Sequence, residues 1–202
     1  RAARACSRAS AGEGTPGGVL TPSRVAAGGV ARGSGAGAIA LPAGVREDGG
    51  MLNVIACPGP DLSAAQLHGL LKLRVDVFVV EQECPYPEVD GLDLEPSTTH
   101  VWVERDGQVA STLRLLDADG EAGPLVIGRV VTAPDHRGTG LAAELMGWVL
   151  ERYGRRALEL EAQSHLAGWY ERFGFVRTGP DFDWDGIAHT PMERRPSVGQ
   201  GA

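Results

Sequence analysis

The chain has 202 residues, 19 of them basic and 26 acidic, for a formal charge of −7 at neutral pH. Residues 1 to 50 hold six arginines and three acids, so the remainder carries 13 basic and 23 acidic side chains, a formal −10. That balance disfavours nucleic acid as a partner, because phosphate binding needs a basic face, and it mildly favours a cationic partner such as an amine. No stretch approaches the roughly 18 to 20 apolar residues that span a bilayer, and none has the apolar centre of a secretory signal, so no membrane partner is expected. Cys6, Cys57 and Cys84 are scattered without metal spacing, which points to a reducing compartment, the cytoplasm.

Residues 1 to 50 are different material from the rest. Twenty-four of them are Gly or Ala, none is aromatic, and no period of 2 or 3.6 runs through them. Such a stretch cannot bury enough surface to offset its ordering entropy, so a disordered or non-native extension is expected there. Its Arg-rich opening lacks the amphipathic pattern of a transit peptide. From Met51, a candidate start, about 150 residues remain, the usual size of one domain; we place it at 51–195, with a flexible tail at 196–202.

The elements then follow in order. Leu52 to Ala56 reads as a strand, and Ser63 with Gln66 forms a capping box for a helix carrying Leu67, Leu70, Leu71 and Arg74. Val101 to Arg105 and Val109 to Leu116 are strands joined by Asp106-Gly107, a two-residue hairpin signal. Val126 to Thr132 is a strand that Pro134 ends. The turn Arg137-Gly-Thr-Gly140 precedes a helix with Leu141, Leu145, Trp148 and Val149 on one face, running to about Tyr153. Leu158 to Gln163 is a strand, Ser164 to Phe173 a helix ending at Gly174-Phe175, and two closing strands lie near Phe175 and His189. No internal repeats are apparent. The alternation predicts an α/β (α+β) layout, a mixed sheet with helices packed on it.

The strand, turn and helix around residue 138 carry the strongest chemical signal. With no side chains at Gly138 and Gly140, backbone N–H groups at a helix N-terminus can close on a phosphate, helped by the helix dipole and the Arg137 guanidinium; a pyrophosphate suits the turn. The turn lacks the Lys-Ser or Lys-Thr of a P-loop and the third glycine of a dinucleotide fold.

Arg-x-x-Gly-x-Ala, at Arg137, Gly140 and Ala142, resembles the acetyl-CoA loop of the GNAT N-acetyltransferases. Tyr170-Glu-Arg-Phe-Gly-Phe175 is similar to that superfamily's Tyr-x-x-x-Gly-Phe ending. The long segment Val77 to Asp93 around Cys84, then His100 and Asp185-Gly-Ile-Ala-His189, resemble its ElaA-like branch, and the likeness covers nearly all of residues 51 to 193. It implies a GNAT fold, with a mixed, mostly antiparallel sheet splayed at the acetyl-CoA site and flanked by helices. It also implies acetyl-CoA as cosubstrate, an amine acceptor, and direct attack in a ternary complex.

Residue by residue, the likeness implies that the backbone of Val130, Val131 and Thr132 pairs with the pantetheine arm. Arg137, Gly138, Thr139, Gly140, Leu141 and Ala142 would hold the phosphates. Tyr170 would be the general acid. Gln163, seven residues before it, stands where many members have an Asn that contacts the pantetheine. The residues themselves offer Glu81, after the apolar run Val77 to Val80, as the candidate general base, its pKa expected to be raised by partial burial, with Asp90, Asp93 and His100 as the other candidates for that role. Asp90, His100 and His189 are candidate acceptor contacts, with Asp93 a further polar group nearby. Asp90, Asp93 and His100 make a poor metal set, and no metal is expected. The chain departs from the branch at Trp184, Ala188 and His68, where an acid, a proline and a tyrosine are usual. Cys84 is read as a buried small side chain, and His136 as a solvated loop residue. The alternative reading of the whole is a noncatalytic acyl-CoA-binding regulatory module; a longer acyl chain and a homodimer are left open.

Overall fold

Ser63 opens the first helix as its side chain requires. In the computed structural model, which describes residues 39–40, 53–120 and 123–196, its Oγ accepts from Gln66 N–H at 3.3 Å, and the Gln66 amide oxygen accepts from Ser63 N–H at 2.9 Å. This reciprocal cap starts α1, Ala64–Arg74. The helix does not stop at Arg74. It widens into a π-helical segment, Val75–Glu81, closed by Gln82 N–H on Val77 O at 3.0 Å. Glu83, at a φ of 52°, ends it. Wide turns of this kind concentrate at functional sites; this one ends at Glu81, with Gln82 as its C-cap.

The strands are β1 (Ile39–Ala40), β2 (Val54–Pro58), β3 (Thr98–Arg105), β4 (Gln108–Leu116), β5 (Leu125–Thr132), β6 (Leu158–Gln163), β7 (Val176–Arg177), β8 (Phe182–Trp184) and β9 (Ile187–Arg194). They form one sheet in the order β1-β2-β3-β4-β5-β6-β9-β7, with β8 also on β9. Only β5 and β6 run parallel; the other pairs are antiparallel. Asp106 and Gly107 both take positive φ, 51° and 74°, the turn whose twist suits the β3–β4 hairpin. Within the stretch expected to be an extension, Ile39 and Ala40 pair with Ala56 and Ile55. The rest of residues 1–50, Cys6 included, and of the tail beyond Pro196, lies outside the described residues.

Alternation along the strands sends neighbours to opposite faces. Val101, Val103, Leu113, Leu115, Leu125 and Ile127 meet α2 (Leu141–Tyr153) through its buried Leu141, Leu145, Met146 and Val149. Each such side chain contributes roughly 1.5–3 kcal/mol on burial. Trp102 turns the other way, to Leu70 of α1 and Cys57, while Val131 meets Leu73 and Val77. The helix expected at Ser164 to Phe173 begins as a 3₁₀ turn, Ser164–Leu166, and continues as α3, Ala167–Glu171. Among the described residues no helix is long and apolar enough to cross a membrane.

Candidate active site

The parallel pair β5 and β6 comes apart almost as soon as it forms. Only Leu125 with Leu158 and Val126 with Glu159 are in register. Beyond them β5 runs on to Thr132 against β4, and β6 to Gln163 against β9, so their facing edges are unpaired in the sheet. A bulge sharpens the divergence. Thr112 opposes Val131 and Arg114 opposes Gly128, which leaves Arg129 and Val130 facing Leu113 alone, with Arg129 at a φ of 54°. Val130 is the second residue of this bulge, and the backbone of Val131 and Thr132 lies just past it. Val131 is buried against α1, and the Thr132 hydroxyl sits 2.9 Å from that of Ser111.

The glycine turn stands at the open end. Gly138 and Gly140 take φ of 74° and 84°, and a Cβ added at Gly138 would meet nothing within 4 Å. Gly140 caps α2 with no side-chain hydrogen bond, so the first N–H groups of a 13-residue helix lack a side-chain acceptor. The Thr139 hydroxyl donates to His136 O at 2.6 Å and braces the turn, while Leu141 is buried and Ala142 half-buried. A slot between strands ending at exposed glycines and an uncapped helix fits a long, thin ligand with an anionic end.

Glu81 and Gln82 reach across this opening. Glu81 accepts two parallel hydrogen bonds from Arg137, both at 2.8 Å, and Arg137 Nε donates to Thr132 O at 3.3 Å. Gln163 Nε2 donates to the Gln82 side-chain oxygen at 3.0 Å. The raised pKa expected of Glu81 is not found: the hydrogen bonds from Arg137, and then its charge, hold the carboxyl below the ordinary range. The partial burial invoked for it is absent too, since both side chains are more than two-fifths exposed.

Tyr170 is 6 % exposed, edge-on to Trp169 at 4.8 Å and to Phe175 at 6.2 Å. Burial pushes its phenol above the usual value. Gln163 pairs with His189 in the β6–β9 register, and His189 with Phe182 on β8, so the three share one sheet face. The His189 ring lies 5.8 Å from Trp184 and 6.1 Å from Phe182, and both of those rings are substantially exposed. Glu161 precedes Gln163 by two residues on that face. Desolvation raises its pKa, partly offset by His189.

Asp90, Asp93 and His100 belong elsewhere, to an ion network under the loop 83–97. Asp93 accepts from Arg74 Nη1 at 2.6 Å and from Arg114 Nη1 at 3.0 Å. Asp90 accepts from Arg114 at 2.9 and 2.6 Å and from Arg129 at 3.1 Å. Glu88 accepts from Arg74 and from the Tyr86 hydroxyl, and lies 2.8 Å from Arg129 Nε. Burial opposes ionisation of Asp90, but Arg114, the Leu92 N–H and Arg129 outweigh it and hold its pKa at about 2. His100 is 1 % exposed with Nε2 at 2.9 Å from Asp93 O, and burial lowers its pKa. Neither side chain is an open acceptor contact as expected: one is locked between guanidinium groups, and the other is sealed beneath them. Cys84 is buried, with Sγ 3.3 Å from Asp185 O, as a small structural side chain.

Arg129, Arg114, Glu88 and Glu161 escaped the sequence reading. Arg129 left one visible signal, a Gly-Arg pair interrupting the apolar run Leu125 to Thr132.

The comparisons with known proteins agree with this geometry. The family described as Acetyltransferase (GNAT) domain matches residues 72–196. A UPF0039 protein of Mycobacterium bovis is 49% identical over 143 residues, 69% of this chain and 90% of that protein. Protein ElaA of Escherichia coli is 38% identical over 138 residues, 66% of this chain and 90% of ElaA. In solved structures, an acyl-CoA N-acyltransferase from Pseudomonas aeruginosa matches at a TM-score of 0.66 and 43% identity, over 71% of this chain and 99% of that one. Escherichia coli ElaA matches at 0.67 and 35%, over 72% and 100%. The chain belongs to the GNAT acetyltransferases, in their ElaA-like branch, a family whose fold binds acyl-CoA for acyl transfer.

Proposed function

We propose that the protein is an N-acetyltransferase that moves an acetyl group from acetyl-CoA to an amine by direct attack in a ternary complex. The observation that carries this reading is the divergence of β5 from β6 after two paired positions, opening onto Gly138 and Gly140. When bound, acetyl-CoA supplies an acetyl group activated as a thioester. The backbone of Val130, Val131 and Thr132 holds the pantetheine arm along the unpaired edge, and a backbone N–H there polarises the acyl carbonyl. Gly138 to Ala142 close on the pyrophosphate through N–H groups, with the Arg137 guanidinium over them. Gln163 contacts the arm from the β6 side.

Tyr170 is the general acid. Its phenol, protonated at neutral pH like that of any tyrosine, gives its proton to the leaving sulfur. Glu81 is the general base, and its low pKa has one principal cause, the guanidinium beside it. When Arg137 turns to the pyrophosphate that cause is removed, and the carboxylate becomes free to take the ammonium proton. The acceptor lies along the face of Gln163, His189 and Phe182, where exposed rings and Glu161 suit an organic cation. The domain is residues 51–195, with the two residues of β1, Ile39 and Ala40, added at the edge of its sheet.

Calorimetric titration of acetyl-CoA, followed by thiol release with a panel of primary amines, tests this. Tyr170→Phe should leave acetyl-CoA affinity unchanged and slow thiol release by about 10²-fold. Wild-type turnover in the variant across pH would remove Tyr170 from the chemistry, and failure of acetyl-CoA to bind the wild-type protein would sink the reading as a whole.

A further inference from the structure

We propose that Arg129 is a positioning residue: its ion pairs to Glu88 and Asp90 hold the left-handed bulge of β5 that aims the backbone of Val130 to Thr132. An arginine at a φ of 54° inside a strand is strained, because its Cβ crowds the following carbonyl. The residue in this place in a bulge is usually glycine. Gly128 is adjacent, yet it is Arg129 that takes the positive φ. Local preference therefore does not explain the bulge.

The guanidinium does. Arg129 Nε lies 2.8 Å from Glu88 Oε2, Nη2 donates to Asp90 Oδ2 at 3.1 Å, and the cation sits 5.7 Å from the centre of the Tyr86 ring. The dependence runs one way. Glu88 keeps Arg74 and the Tyr86 hydroxyl without Arg129, and Asp90 keeps both terminal nitrogens of Arg114. The network thus stays paired without Arg129, whereas the charged partners of Arg129 among the described residues all belong to the network.

The consequence reaches the slot. Were Arg129 to relax into extended backbone and the bulge to close, the strand beyond would slip by one residue, and a one-residue slip turns every side chain to the opposite face. Val131 would leave Leu73 and Val77, and the edge that faces β6 would change. The purpose assigned to the bulge rests on the acetyl-transfer reading, but its cause does not.

The test compares Arg129→Ala with Arg129→Gly. Both remove the guanidinium, and only glycine tolerates the left-handed backbone. In ligand-free protein, Arg129→Gly should keep the wild-type amide chemical shifts of Val131 and Thr132, and Arg129→Ala should move them. Acetyl-CoA affinity should fall about tenfold in Arg129→Ala, the worth of the released strain, and by about twofold or less in Arg129→Gly. Unmoved shifts in Arg129→Ala would overturn the proposal, since strand pairing alone would then hold the bulge. Equal losses in both variants would overturn it too, since the guanidinium would be acting by contact. Should Arg129→Ala not fold, Arg129→Gln retains the stem without the charge and carries the same reading. A wild-type protein that bound no acetyl-CoA would sink the acetyltransferase reading, and the amide shifts would still decide the role of Arg129.

Discussion

Two sets of arginine–carboxylate contacts lie on this fold, made of the same groups at similar distances and different in every consequence. Arg74 and Glu88 are 1 % and 2 % exposed, and a second guanidinium or a phenol backs each carboxylate around them. Arg137 and Glu81 are 45 % and 41 % exposed and, among the described residues, have only each other as charged partners at close range. In the dry network a broken pair leaves a charge that water cannot reach, so the arrangement is fixed. At the mouth of the slot water and anions compete freely, so the pair is exchangeable. The first set holds a loop and a bulge in place; the second can open for a ligand.

The sharpest way to break this comparison is to remove a buried cation. Arg74→Met deletes the guanidinium that serves both Glu88 and Asp93. Stability measured by urea unfolding should fall by about 3–5 kcal/mol, because Glu88 and Asp93 then remain buried with less than their full complement of partners. A loss under about 1 kcal/mol would mean that the network is solvated, and the contrast with Glu81 would disappear.

A smaller effect follows from Asp90, which is at the network's edge. Its folded pKa of about 2 lies below that of an unfolded aspartate. Its contribution is therefore complete above roughly pH 4 and lost as the pH falls through about 2. Asp90→Asn should cost about 2 kcal/mol at pH 7, and the gap to wild type should close on acidification. A gap that stayed constant down to pH 2 would place the effect in packing rather than charge.

Much of the scaffold was legible because its signals are local. The Ser63–Gln66 box, the Asp106-Gly107 turn, β6 at Leu158 to Gln163 and the glycine turn each rest on a few adjacent residues. β8 was not legible: Phe182, Asp183 and Trp184 are all exposed and show no alternation between buried and open positions. The π-helical segment was equally hidden, since Val77 to Val80 is a plain apolar run that carries no mark of one residue more per turn. The network joins residues 74, 88, 90, 93, 114 and 129, as far as 39 positions apart for a single hydrogen bond. A single chain offers no way to pair them, so Asp90 and His100 read as candidate acceptor contacts. Tyr170, Gln163, Arg137 and Glu81 were singled out one by one from the sequence, but their partners across the opening were not. Glu81 was expected to be raised in pKa because nothing in the sequence put Arg137 beside it, 56 residues away.

The exposed pair gives the smallest effect on the fold and the most direct test of exchange. Glu81→Gln removes the charge that holds Arg137 but keeps the shape of the side chain. Because both partners are open to water, the melting temperature at neutral pH should be nearly unchanged. The affinity for CoA should rise, by about two- to fivefold, since Arg137 no longer has to leave a carboxylate before meeting a phosphate. Turnover should fall in the same variant, because the amide cannot take a proton. Tighter binding with slower transfer is the signature of a residue that competes with the phosphates in the free protein and serves as base in the complex. Weaker CoA binding would mean that Glu81 steadies Arg137 for the phosphate, and the pair at the mouth of the slot would then be as fixed as the one beneath the loop.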